Sequence, residues 1–121
     1  MSTPAICIID DDESMRLALE GLVRSFGFSA RTFMSAEDFL ANGGDDGCCC
    51  IITDIQMPGL SGIELKHRLD SRPNPAPVIL ITARSEPRIH AQARASGAVC
   101  LLKKPFNADT LLACLKKAQI A

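Results

Sequence analysis

The chain has 121 residues, 47% of them apolar, and a formal net charge of −1. That is the size of one domain, expected over residues 1–121, and long enough to bury roughly two-thirds of the surface exposed by its unfolded chain. The near-neutral charge speaks against the clustered Lys/Arg face of a direct nucleic-acid binder, and no stretch approaches the roughly eighteen apolar residues of a membrane span.

Ala5 to Ile9 is a continuous apolar run that ends in acids, which is not a signal-peptide pattern. Met15, Leu19, Leu22 and Phe26 follow at steps of four, three and four. They form one helical stripe, with Gly27 as its stop. Phe28 to Phe33 reads as a short strand. Ser35 caps a short helix carrying Phe39 and Leu40, with Asp38 favourable in its first turn. Asn42 to Gly47 is a polar loop.

Cys48 to Thr53 is the next apolar run and ends at Asp54. A loop with Pro58, Gly59 and Gly62 leads into a helix with Ile63, Leu65 and Leu69. Pro73, Pro75 and Pro77 break the chain before a fourth strand, Val78 to Ile81, which ends at Thr82. Pro87 suits the first turn of a helix running to Gly97. A fifth strand, Ala98 to Leu102, ends near Lys104-Pro105. Asn107 caps a last helix, with Leu111, Leu112 and Leu115 facing inward.

Apolar strands alternating with amphipathic helices mean a parallel sheet covered on both faces, with right-handed crossovers. The sequence has no Trp and no Tyr, so aliphatic residues, Ala, Cys and a few Phe must fill the core. The six cysteines are Cys7, Cys48, Cys49, Cys50, Cys100 and Cys114. In a reducing cytoplasm they are expected to be small hydrophobes rather than disulfides. Cys48-Cys49-Cys50 has no metal-ligand spacing, since adjacent side chains on a strand point to opposite faces.

In an open α/β sheet, ligands bind beyond the carboxyl ends of the strands. Asp10, Asp11 and Asp12 follow the first strand, Asp54 the third, Thr82 the fourth and Lys104 the fifth. Each alone reads as an ordinary cap, turn or surface residue, and Asp12 as a helix cap. Together they bring carboxylates, a hydroxyl and an amine to one edge. Crowded carboxylates repel one another and raise a pKa. A hard divalent cation such as Mg2+ or Mn2+ relieves that and leaves positions for phosphate oxygens. Asp54 then suits a carboxylate nucleophile, with Lys104 and the cation stabilising the transferring group.

Four stretches carry a family resemblance: Ile8-Ile9-Asp10-Asp11-Asp12-Glu13; Thr53-Asp54-Ile55-Gln56-Met57-Pro58-Gly59-Leu60-Ser61-Gly62; Val78-Ile79-Leu80-Ile81-Thr82-Ala83; and Lys103-Lys104-Pro105-Phe106. Over essentially its full length the sequence resembles the receiver domains of two-component response regulators. Its details lean toward the nitrogen-fixation and nodulation type, in which a helix-turn-helix transcription domain follows. The resemblance implies a flavodoxin-like fold of strand order 2-1-3-4-5. It implies Asp54 as phosphoacceptor, Asp10 and Asp11 with the Gln56 carbonyl as magnesium ligands, Thr82 as switch hydroxyl and Lys104 as phosphoryl partner. Asp11 and Asp12 are the alternative acidic pair. Lys104-Pro105 matches a bond that is cis in the family. Ala83 falls among the switch and tuning positions, and Gln56 and Arg84 among those that tune the lifetime of the phosphoryl group. One departure stands out: Leu101 occupies a place that is often Tyr or Phe.

The implied partners are a sensor histidine kinase as donor, a second copy in a phosphorylation-dependent dimer, and an output DNA-binding domain in a longer chain. Neither direct nucleic-acid nor membrane contact is expected. The chain would be cytoplasmic, and it would catalyse only its own phosphorylation and dephosphorylation. The readout face would be the fourth helix, fifth strand and fifth helix. Two rival readings remain. Asp10-Asp11-Asp12-Glu13-Ser14 also fits the opening of haloacid-dehalogenase-like phosphohydrolases, with Asp10 as nucleophile and Asp12 as acid/base. The other rival is a receiver that docks without being phosphorylated, which predicts the loss of an acid, the Thr or the Lys.

Overall fold

A computed structural model describes residues 4–44 and 46–119; Asp45, in the expected polar loop, lies outside the described residues. The elements are β1 (Ala5–Ile9), α1 (Glu13–Ser25), β2 (Ser29–Phe33), α2 (Ala36–Ala41), β3 (Cys48–Asp54), α3 (Gly62–Leu69), β4 (Val78–Thr82), α4 (Pro87–Ala95), β5 (Cys100–Lys103) and α5 (Ala108–Lys117). The strands form one parallel sheet in the order β2-β1-β3-β4-β5, the architecture expected from the sequence.

Side-chain alternation divides the sheet into two core layers. Ile6, Ile8, Ile52, Ile79, Ile81 and Leu102 face α1 and α5, where Leu19, Val23, Leu111 and Leu115 meet them. Cys7, Ile9, Ile51, Val78 and Leu80 face the other way, onto Phe39 of α2, Leu65 and Leu69 of α3 and Ala93 of α4. β1 and β4 are buried at every position, whereas the outer strands β2 and β5 show partial exposure. Within the α2 layer, Phe33 and Phe39 pack edge to face at 5.2 Å.

Several local expectations need correction. β3 runs through Asp54, so the acid is the last residue of the strand rather than the first of the loop. β5 is shorter than read: it begins at Cys100 and runs to Lys103, although Val99 already donates its N–H to the Val78 carbonyl. Leu112 is half-buried, and Cys114 takes the inward position instead. The pairing of β1 with β3 slips between Ala5 and Ile6, skipping Cys49. That bulge puts Cys49 and Cys50 against the same core layer, so strict alternation fails there. Finally, Cys100 and Cys114 are joined in a disulfide, contrary to the expectation of six thiols. β5 and the inward face of α5 bring their Cα atoms within 5.8 Å, inside the reach of a bridge. The other four cysteines are free. Burial pushes the Cys50 thiol up, keeping it protonated as a core residue.

Candidate functional site

The site lies at the carboxyl edge of the sheet. Asp10, one residue past β1, is fully buried and fixed on two sides. Its Oδ1 accepts the Asp12 N–H at 2.9 Å, and its backbone carbonyl accepts Arg16 Nη1 at 2.9 Å. Asp12 is committed elsewhere: it caps α1, accepting from the N–H groups of Ser14 and Met15. Asp11, between them, is exposed. Asp10, Asp11 and Asp54 each offer a carboxylate oxygen, all within 4.8 Å of one another. Geometry therefore brings together the first of the two possible acidic pairs and leaves Asp12 on its helix.

Asp54 is 7% exposed. Lys104 Nζ stands 3.6 Å from Asp54 Oδ2 and 3.5 Å from Asp10 Oδ2, one ammonium shared by two carboxylates. Lys104 reaches this point because its backbone N–H donates to the Thr82 carbonyl at 2.8 Å, and the Lys104-Pro105 bond is cis as expected. Burial raises the Asp54 pKa to about 6; the charges of Asp10 and Asp11 add to the shift, while Lys104 opposes it. Asp10 is also raised, chiefly by burial. This is the condition that a hard divalent cation relieves, and three carboxylate oxygens suit such an ion.

The loop after β3 is held from below and from the side. Gly62 opens α3 so close to the strand that a Cβ there would overlap the Asp54 carbonyl oxygen. Its N–H donates to the Ile55 carbonyl, and Ser61 with Glu64 forms a capping box for α3. Gly59 has φ +79°, and its neighbour Leu60 donates its N–H to Glu37 of α2 at 2.8 Å. That hydrogen bond holds the Glu37 carboxyl below its usual range.

Thr82 is fully buried at the end of β4. Its hydroxyl donates to Gln56 Oε1 at 3.0 Å and accepts the Arg84 N–H at 3.0 Å. The Arg84 guanidinium is turned to Glu86, at 3.0 Å. The Arg84 carbonyl accepts from His90 Nε2 of α4 at 3.0 Å. Ala83 is exposed, and Leu101 is half-buried against the α2–α4 layer. Sequence reading named Gln56 for its backbone carbonyl and for tuning, but missed its side-chain bond to Thr82, the bond from His90 to the Arg84 carbonyl and the one from Leu60 to Glu37. These bonds join different elements and leave no local pattern.

The family model for the response regulator receiver domain matches residues 6–116. Transcriptional regulatory protein FixJ of Bradyrhizobium diazoefficiens is 37% identical over 113 residues, covering 93% of this chain and 55% of that protein. The chain spans about half the length of the first curated relatives it matches. Among solved structures, FixJ-N superposes with a TM-score of 0.85 at 31% identity, covering 98% of this chain and 94% of that one. The beryllium-trifluoride-activated DrrB receiver domain gives 0.86 at 25% identity, covering 99% and 100%. The phosphohydrolase alternative finds no support in these matches. After Lys104 the next acid is Asp109, in the first turn of α5.

Proposed function

Since the chain belongs to the receiver-domain family of two-component response regulators, we propose that it takes a phosphoryl group onto Asp54 from a histidine of a sensor kinase. The observation that carries this reading is the convergence of Asp54 with Asp10, Asp11 and Lys104 at one buried edge. A carboxylate oxygen of Asp54 attacks phosphorus. The O–P bond forms as the P–N bond breaks, and its electron pair leaves with the imidazole. Asp10, Asp11, Asp54 and the Gln56 carbonyl would hold Mg2+ or Mn2+, which supplies positive charge to the phosphoryl oxygens. Lys104 supplies the same from the other side. The chain acts on itself only, Arg84 and Gln56 set how readily water reaches the acyl phosphate, and Ala83 lies among the switch positions.

The new charge biases a pre-existing equilibrium. Thr82 turns toward the phosphoryl group, and the loops after β3 and β4 repack with α4 and β5. The outcome is read by an output domain in a longer chain, by a second copy, or by both, in the control of transcription. The cleft between α4, β5 and α5 is lined by His90, Arg94, Lys103 and Lys117 without an acid. A second copy docked on it by a two-fold axis must therefore bring acids from outside the cleft. Among the described residues, no helix is long and apolar enough to cross a membrane.

The experiment is an intact mass after incubation with magnesium and a small acyl-phosphate donor, followed by transfer from a phosphorylated kinase. The expected result is one phosphoryl adduct, absent in Asp54→Asn and without the cation. An adduct that survives Asp54→Asn and requires Asp10 overturns the reading. A domain that docks without phosphorylation would give no adduct from either donor.

A further inference from the structure

A hydroxyl has one proton to donate. In this structure Thr82 gives it to Gln56 Oε1, and the oxygen of the same hydroxyl is taken by the Arg84 N–H. A phosphoryl oxygen can only accept, so what it needs from Thr82 is that one proton, which Gln56 already holds. Resting on the proposed phosphorylation of Asp54, we propose that the Gln56 side chain is a latch on the switch hydroxyl, which the phosphoryl group must displace to engage Thr82.

The geometry favours a latch over an incidental contact. Thr82 is fully buried, so its hydroxyl proton has no bulk water to turn to. Within the same hydroxyl's reach lies the Arg84 N–H, but it is a donor and cannot accept. Gln56 lies two residues beyond Asp54 on the loop that Gly62 and Glu37 hold in place. Its amide is thus presented from a fixed backbone, at the end of β3, to the end of the neighbouring strand β4. An acceptor placed there stabilises the resting rotamer of Thr82, and a competing acceptor on Asp54 must exceed it.

Release of the latch has a defined path. Arg84 is bonded on both sides, through its N–H to Thr82 and through its carbonyl to His90 Nε2. When the hydroxyl turns away, the Arg84 N–H loses its acceptor, and the β4–α4 segment is free to turn and give up His90. His90 lines the basic cleft together with Leu101. Where Leu101 lacks a ring to report the switch, His90 is the side chain that carries it to the surface. Gln56 and His90 are positioning residues in this scheme, acting through Thr82 and Arg84.

The test uses Gln56→Met, which keeps length and removes the acceptor, and Gln56→Glu, which restores an acceptor at the same reach. The first readout needs no ligand: the side-chain rotamer of Thr82 and the ring-nitrogen shift of His90, by NMR in the resting protein. The expected result is a single Thr82 rotamer in the parent and in Gln56→Glu, averaging in Gln56→Met, and a His90 shift that moves with it. The second readout is the affinity for beryllium trifluoride in the presence of magnesium, expected to tighten about fivefold in Gln56→Met, the worth of one ordinary hydrogen bond. Unchanged Thr82 and His90 signals in Gln56→Met overturn the latch, whatever the second readout gives. If the parent takes up no beryllium trifluoride, the phosphorylation reading fails, and the latch is then judged on the rotamer alone.

Discussion

Helices α4 and α5 both flank β5, on opposite faces of the sheet, and they are held by different amounts. α5 buries Leu111, Cys114 and Leu115, starts in a reciprocal cap between Asn107 and Thr110, and is joined to β5 through Cys100–Cys114. α4 buries Ala93 alone, and its N-cap residue, Glu86, makes no side-chain cap bond. The start of α4 is tied to the site through Arg84, whose carbonyl accepts from His90 and whose guanidinium pairs with Glu86. Elements that move in a switch come from the less stable end of a structure. The difference teaches that the proposed readout face is built from one anchored helix and one loosely seated helix, and that the loose one is bonded through Arg84 to Thr82.

The comparison breaks most plainly under core truncation. Leu115→Ala should cost about 3 kcal/mol, as for a fully buried leucine, and Ala93→Gly about 1 kcal/mol. Urea denaturation measures both, and comparable losses would mean that α4 is anchored as firmly as α5.

The second test separates the cost of the site from the anchoring of the helices. With its pKa raised to about 6, Asp54 binds its proton more tightly in the folded chain than in the unfolded one. Folded stability therefore falls as pH rises from about 4 to about 6, and the full cost persists above that. Asp54→Asn in cation-free buffer should be more stable than the parent by up to about 3 kcal/mol at neutral pH, with the gap closing near pH 4. Magnesium should narrow it at neutral pH. A gap that is the same at both pH values would show that the carboxylate charge is not its source.

Reduction is the third test. Opening Cys100–Cys114, separated by 14 residues, should lower the unfolding free energy by about 2 kcal/mol, read from the shift of the urea midpoint. Hydrogen exchange should loosen at α5 while α4 stays as it was. The smallest effect lies in the caps. Asn107→Ala should cost about 1 kcal/mol, whereas Glu86→Ala should change stability by no more than a few tenths, since no cap bond is lost. Equal costs would remove the asymmetry at the helix starts.

Much of this was legible in the chain because it is local. Strand runs, the caps Ser35 and Asn107 and the stop at Gly27 are signals of neighbouring residues, and the strand-end rule placed Asp10, Asp54, Thr82 and Lys104 on one edge. Asp12 was read as a cap, and the geometry agrees, which leaves Asp10 and Asp11 with Asp54. What escaped depends on pairing between distant elements. The bulge at Cys49 is a register shift against β1, and the disulfide depends on how α5 sits over β5. The Gln56–Thr82 bond depends on where β3 and β4 end relative to each other. None of these has a one-dimensional period to detect.

Glu37 gives the site a direction. By accepting the Leu60 N–H, it moors the loop after β3 to α2, while the loop after β4 is held, among the described residues, by the Thr82 bond to Gln56 and by bonds among Thr82, Arg84, Glu86 and His90. In the proposed switch, a disturbance arising at Asp54 would meet a loop moored to another helix on one side and a loop tied largely within its own segment on the other. In mechanical terms the proposed switch would make the domain a rectifier: the moored loop would yield less, and more of the push than in a symmetric fold would be delivered to α4.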